Sequence, residues 1–319
     1  MRICQIGVGQ WGKKHARVLS ELKSEDLFDE LLFYDINKDL GKSISSIYDG
    51  TLVDDIENLD VDLVDIVVPA NLHYEVAKPF IERGIKVLIE KPFTDKLQHA
   101  TDLIDISSQP ETSIMVGHIF RFHQGVLKTR ELINSGVIGP VKKMDIRRMA
   151  FGVPRKDNGV IFSLAIHDLD LFTYFLNEES PKSIQALASV INGPTEDHAF
   201  IKVEFDNAIG LAEESWSSFV PKKVRSCSIQ GELGELSLNF AKPNEVILNE
   251  KYIANGLVDN GEFRYIIPFE EPLKSELTHF IETSKKNEKY YVGPEIGIRG
   301  VKLCLSALEA AKTQTIVKF

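Results

Sequence analysis

At 319 residues, with 43% hydrophobic and 26% charged side chains, the chain has an ordinary globular composition and the length for two domains. Its net charge of -10 argues against a nucleic-acid backbone as partner, which would need clustered cations, but leaves room for a local basic pocket that takes a small anion. Three widely spaced cysteines, Cys4, Cys227 and Cys304, make neither a disulfide framework nor a zinc knuckle and fit a reducing compartment.

The chain opens directly as a strand, and no apolar run approaches a membrane span, so a cytoplasmic protein with no membrane attachment is expected. That strand, Arg2–Ile6, runs into Gly7-Val8-Gly9-Gln10-Trp11-Gly12, and a helix follows from about Lys13 to Leu22. This is G-x-G-x-x-G in its proper setting of strand, glycine turn and helix. The first glycine permits the turn, the second lets a pyrophosphate approach, and the third packs helix on strand. The free N–H groups of the helix start then face the anion. The next apolar run, Leu31–Tyr34, ends in Asp35, about 20 residues beyond the glycines, where a carboxylate accepts the ribose 2′-OH of NAD. The same carboxylate would repel the 2′-phosphate of NADP, so NAD is the expected cofactor. The competing reading of Asp35 is a turn residue before Asn37.

Val61–Pro69 predicts a third strand, Pro69–His73 the loop at its carboxyl end, and Tyr74–Arg83 a helix closed by Gly84. Ile85–Ile89 is a further strand. It stops at Glu90-Lys91-Pro92 because proline cannot donate to a ladder and disfavours helix at the residue before it. A helix from about Lys96 to Ser107 and a strand Ser113–Gly117, ending at His118, complete the half. Alternating strands and helices predict an α/β fold with a doubly wound parallel sheet. Such sheets bind ligands at the carboxyl ends of their strands. The candidate cofactor residues there are Gly7, Gly9, Gln10, Trp11, Gly12, Asp35, Pro69, Asn71, His73, Glu90, Lys91 and His118.

From Phe120 the pattern changes. A helix is expected at Gln124–Ser135, then strands at Val141–Met149, Ser183–Ile191, Ala199–Phe205, Gly210–Trp216, Val224–Gln230 and Leu236–Phe240. Short turns between them predict an α+β domain with a large, mostly antiparallel sheet, so the expected domains are 1–119 and 120–319. Helices at Leu273–Ser284 and Gly297–Thr313 close the chain. A helix around Leu164–Leu176 carries Ser163, His167, Asp170 and Tyr174 at i, i+4, i+7 and i+11, on one face. His167 could face a substrate as acid and base, or belong to an ordinary polar stripe. A metal reading of His167-Asp168-x-Asp170 is disfavoured, since neighbouring helix positions diverge and no second His/Cys cluster supports it. Arg155 and Lys156, before a turn at Asp157-Asn158-Gly159, and Lys222, Lys223 and Arg225 are candidate anchors for an anionic substrate, or plain surface charge.

The ordered segments G-V-G-Q-W-G-K-K-H-A-R, V-V-P-A-N-L-H, I-E-K-P, M-V-G-H-I-F-R-F and G-V-I-F-S-L-A-I-H-D-L-D resemble the Gfo/Idh/MocA family. The resemblance implies nicotinamide-dependent oxidation of a sugar or cyclitol, with Lys91 and His167 as the catalytic lysine and histidine. Lys91 and His167 are thereby implied to touch the substrate, and the basic Arg155 and Lys156 are added to them as candidate substrate contacts. The detail around His118, His167 and Trp216 resembles the branch that oxidises UDP-N-acetyl-hexosamines at the sugar 3-position. In such proteins the second sheet meets another subunit, so a homodimer or homotetramer is implied. The departure is Ser163, where the family has D-x-x-x-H; Asp170 is the nearest carboxylate that could substitute in the relay. A regulator of the same fold that binds the cofactor without catalysis, or a dehydrogenase of a free sugar or inositol, are the alternatives.

Overall fold

The computed structural model describes residues 1–156, 158–242 and 244–319, so Asp157 of the expected 157–159 turn lies outside the described residues. Six strands form the first sheet: β1 (Arg2–Ile6), β2 (Glu30–Tyr34), β3 (Thr51–Leu52), β4 (Leu63–Ile66), β5 (Lys86–Glu90) and β6 (Ile114–Gly117). Their spatial order is β3-β2-β1-β4-β5-β6, and every pairing is parallel. The order reverses between β1 and β4, which makes a topological switch point at their carboxyl ends. β4 is shorter than the expected run, although Val67 N still donates to Ile6 O at 2.8 Å beyond it. Buried parallel strands need no alternation, and β4 is buried throughout.

Five helices connect these strands: α1 (Gly12–Ser24), α2 (Lys38–Ile47), α3 (His73–Glu82), α4 (Leu97–Ile106) and the single turn α5 (Pro110–Ser113). Asn37 caps α2 by accepting from Leu40 N at 3.0 Å. Gly84, at φ +75°, ends the turn after α3 in the left-handed region.

In the second unit, α6 (Gln124–Asn134), β7 (Val141–Met149) and α7 (Ile166–Phe175) precede a run of strands. These are β8 (Ser183–Ser189), β9 (His198–Glu204), β10 (Ile209–Ser215), β11 (Val224–Gly231), β12 (Glu235–Asn239), β13 (Glu245–Ile253), β14 (Leu257–Ile266) and the short β15 (Val317–Lys318). The sheet order is β14-β13-β12-β11-β7-β10-β9-β8-β15. All pairs are antiparallel except β7 with β10. One face buries Met144, Ile146, Ile201, Val203, Ile229 and Leu236 against the helices. On the other face Leu187, Phe200 and Ile316 stay exposed.

The chain divides into two compact units, Met1–Ile119 with Glu271–Val301, and Phe120–Glu270 with Lys302–Phe319. The segment after Glu270 therefore returns to the first unit, where a single cut at residue 119 would leave it in the second. Helix α8 (Pro272–Lys286) explains the return: Leu273, Leu277, Phe280 and Ile281 form its buried stripe, and it packs on α1. The final helix, α9, spans Pro294–Thr313.

Candidate active site

The glycine loop is braced from below by a buried glutamine. Gln5 Nε2 donates to Gly7 O at 2.9 Å and to Gly12 O at 2.7 Å. Gly7 has φ +93°, and a Cβ at Gly12 would lie 2.2 Å from Gly7 O, so both positions require glycine. A Cβ at Gly9 would meet nothing within 4 Å. Nothing in the protein's own packing demands that glycine, which fits a position left clear for a ligand. Gln10 is exposed, and no side chain caps the start of α1. Asp35 accepts from Val8 N and from Asn37 N, each at 2.8 Å, so it joins the glycine loop to the turn after β2. It is both the turn residue and the acid at the strand end. This uncapped helix, open glycine and acidic strand end suit a dinucleotide.

Pro69 and Asn71 are exposed at the end of β4. His73 turns inward. Its Nδ1 lies 2.8 Å from Pro92 O and its Nε2 3.0 Å from Val68 O, so the ring is held between two loops rather than facing outward. Burial holds its pKa below the ordinary histidine value. Glu90, the last residue of β5, is buried, and the half-buried Lys91 follows it at the carboxyl edge. Glu90 accepts from Trp11 Nε1 at 2.7 Å and from Lys91 N at 3.0 Å. His118, at the end of β6, is buried.

In the second unit the expected single helix starts as a π-turn, Ile161–Ala165, and continues as α7. Ser163 lies in the π segment and His167 just beyond it. The wider turn alters the phase that a regular i, i+4 spacing assumes, and such turns recur at functional sites. Glu196 shapes the entry: Ile161 N donates to its Oε1 at 3.3 Å, and a Cβ at Gly159 would lie 1.9 Å from that oxygen. All ten residues of α7 are buried. The ring of Phe120 stands edge-on to His167 with centroids 4.8 Å apart.

The acidic residues flanking His167 are engaged by arginines. Arg121 forms a bidentate pair with Asp170, Nε to Oδ2 at 2.8 Å and Nη2 to Oδ1 at 2.7 Å, and also reaches Glu178. This pair occupies the carboxylate that the sequence offers as a substitute for the missing acid at position 163. Arg148 Nε donates to Asp168 Oδ1 at 2.7 Å, and its guanidinium lies 4.0 Å from the Phe120 ring centroid and 4.4 Å from that of Phe240. Glu214 is pushed well above the carboxylate range by burial and by Asp168. Asp168 and Asp170 thus face arginines rather than a shared ion, and among the described residues no group of three His, Cys, Asp or Glu could hold a metal. Arg155, Lys156, Lys222 and Lys223 are exposed. Arg225 is half-buried and donates to Val224 O at 2.8 Å.

Two family profiles match this arrangement. Residues 1–118 match the one described as "Oxidoreductase family, NAD-binding Rossmann fold", and residues 130–319 the one described as "Oxidoreductase family, C-terminal alpha/beta domain". The chain belongs to the GFO_IDH_MocA oxidoreductase family. Its first unit is an NAD-binding Rossmann domain. A UDP-N-acetylglucosamine 3-dehydrogenase from Acidithiobacillus ferrooxidans is 30% identical over 191 residues, 59% of this chain and 58% of that protein. The sequence match thus spans less than two thirds of that relative. The solved structure of UDP-N-acetylglucosamine 3-dehydrogenase from the same organism superposes with a TM-score of 0.82 at 22% identity, covering 98% of each chain. An inositol 2-dehydrogenase from Rhizobium meliloti is 26% identical over 97% of this chain and 96% of that protein. Levoglucosan dehydrogenase in complex with NADH shares the fold, with a TM-score of 0.85 at 17% identity over 100% of this chain and 98% of that one.

Within this GFO_IDH_MocA chain, sequence reasoning misses Arg121, Arg148, His15 and Glu276. Two of them leave a local signal. In Val141–Met149 the inward positions are Met144, Ile146 and Arg148, so period 2 alone points the arginine into the core. On α1, His15 falls among Ala16, Val18, Leu19 and Leu22 on the buried face.

Proposed function

We propose that the protein is an NAD-dependent dehydrogenase that moves hydride between a sugar carbinol carbon and nicotinamide. The substrate of this reading is a UDP-N-acetyl-hexosamine, or its uronate, oxidised at the 3-position. What carries it is Lys91 at the carboxyl end of β5, beside the switch point of an NAD-binding sheet. The cofactor supplies the hydride acceptor. The uncapped start of α1 takes the pyrophosphate, Gly9 gives it room and Asp35 takes the ribose hydroxyl. Lys91 hydrogen-bonds the reacting oxygen and stabilises alkoxide charge, and His167 exchanges its proton.

The match to the UDP-N-acetylglucosamine 3-dehydrogenase supports the sugar nucleotide, as do the exposed Arg155, Lys156, Lys222 and Lys223. The near full-length match to the inositol 2-dehydrogenase favours a second reading, a free cyclitol. The test incubates purified protein and NAD with UDP-N-acetylglucosamine, its uronate, inositol and glucose, and follows NADH absorbance. Turnover of the UDP-sugars is expected; turnover of inositol or glucose alone would move the assignment to the second reading. NAD binding without any redox reaction would favour a regulator. The proposal also includes a homodimer or homotetramer built on the open sheet face at Leu187, Phe200 and Ile316. Three buried free cysteines suit a reducing, cytoplasmic setting.

Ser163 carries a separate expectation. A hydroxyl can orient an imidazole but cannot balance its charge, and a charge-assisted hydrogen bond is worth roughly 1.5–3 kcal/mol. Ser163→Asp is therefore expected to raise turnover about tenfold and to shift the ascending limb of the pH–rate profile. A slower Ser163→Asp enzyme would mean that the buried pocket is built around the serine.

A further inference from the structure

We infer that Glu90 is a positioning residue, whose carboxylate holds Lys91 and the Trp11 end of the glycine loop in one fixed arrangement from beneath. The inference rests on the dehydrogenase reading for Lys91 but adds a role for Glu90 that is not contact with cofactor. Its Oε1 accepts from Trp11 Nε1 at 2.7 Å and lies 3.3 Å from His15 Nε2, while its Oε2 accepts from Lys91 N at 3.0 Å. Trp11 belongs to the glycine loop and His15 to α1, so one carboxylate ties the loop, the helix and the lysine peptide to the end of β5. Room for it comes from the neighbouring strand. Gly117 pairs with Glu90, and a Cβ at Gly117 would lie 3.2 Å from Glu90 Cα, Cδ and Oε1 alike.

Below Glu90 the network continues through completely buried groups. His15 Nδ1 is hydrogen-bonded to Asp65 Oδ2 on β4 at 2.9 Å, while its Nε2 faces Glu90 Oε1 at ion-pair distance, so the ring lies between two carboxylates that favour the imidazolium. Burial works against that charge, but Asp65 and Glu90 outweigh it and push the His15 pKa up to about 10. Burial alone would raise Glu90, yet His15, Lys91 and Trp11 hold it below the ordinary value. Glu276, from α8, completes the cluster. It is wholly buried, neither of its oxygens has a hydrogen-bond partner, and burial followed by Glu90 pushes it well above the carboxylate range. His73 also feels Glu90, but burial holds its pKa below the ordinary histidine value. The Lys91 charge acts on Glu90, so removing the Glu90 charge should reach Lys91 in turn.

The test uses Glu90→Gln, which keeps the volume and an acceptor oxygen but removes the charge. Lysines are dimethylated with 13C-formaldehyde, and the Lys91 resonance, assigned by its loss in Lys91→Met, is titrated by NMR. NAD affinity is measured by calorimetry on the unmethylated protein. We expect the Lys91 midpoint to fall by about one pH unit and NAD binding to weaken about tenfold. Where a substrate is turned over, the descending limb of kcat against pH should move with that midpoint. Should Glu90→Gln fail to fold, Trp11→Phe at the loop surface removes one donor from the carboxylate. It should move the Lys91 midpoint the other way, upward by about half a unit. A Lys91 midpoint that stays at its wild-type value in the folded variant overturns the inference. Neither NMR nor calorimetry needs turnover, so a failed dehydrogenase reading leaves this result legible.

Discussion

Lys91→Met is expected to melt with the wild-type protein, to bind NAD within a few-fold, and to lose turnover by about a thousandfold. The side chain starts at the carboxyl end of β5, outside the buried ladder of β4, β5 and β6, and is only half-buried. Methionine keeps an unbranched stem of similar length and discards the charge. The contacts that brace the glycine loop come from Gln5, Asp35 and Glu90, which the substitution leaves in place. What it removes is a cation at the oxygen where charge develops as hydride leaves. Removal of one such donor costs about a hundredfold to a thousandfold, and a lost proton-transfer partner adds to it. The check pairs a melting curve and NAD calorimetry with steady-state rates on a substrate from the sugar panel. A variant as fast as wild type would take Lys91 out of the mechanism. A variant that melts early would show instead that the ammonium is part of the fold.

The first unit was legible because its physics is local. Buried parallel strands read as apolar runs, and their ends are marked by glycine or proline within a few residues, as at Gly7 and Pro92. The glycine loop, Asp35 and Lys91 follow from that punctuation. In the second sheet, β14 escaped because it is a largely exposed edge strand with little apolar alternation, and its partner β13 turns only Val246 and Leu248 into the core. Asn260-Gly261 within β14 reads as a turn, although the strand continues through it. The arginine pairs were hidden for another reason: Arg121 meets Asp170, 49 residues away, and Arg148 meets Asp168, 20 residues away. No spacing rule joins such partners. Asp65, inside the apolar run Leu63–Ile66, did carry a warning, since a carboxylate in a central buried strand must find a partner. The i, i+4 spacing of Ser163 and His167 presumes a regular helix, whereas the chain makes a π-turn there, which no spacing rule shows.

Asp170→Ala is expected to cost about 3 kcal/mol of stability. Arg121 and Asp170 are both almost wholly buried, with a bidentate hydrogen-bonded geometry. Breaking such a pair leaves a charge in a low-dielectric interior, typically at a cost of about 3–5 kcal/mol. Glu178 still reaches Arg121 at 2.8 Å, and the guanidinium lies 4.7 Å from the Tyr174 ring centroid, so the lower end of that range applies. The pair itself need not add net stability, because desolvating two ions offsets most of their attraction. The double variant Arg121→Met with Asp170→Leu should accordingly return to within about 1 kcal/mol of wild type. Urea denaturation at constant slope measures both. The same variants separate structure from chemistry at His167. If Asp170 serves the ion pair, Asp170→Asn below its melting range should keep the wild-type pH–rate profile and most of the turnover. Wild-type stability in Asp170→Ala, together with a displaced ascending limb in Asp170→Asn, would instead make Asp170 the carboxylate that relays the proton in place of Ser163.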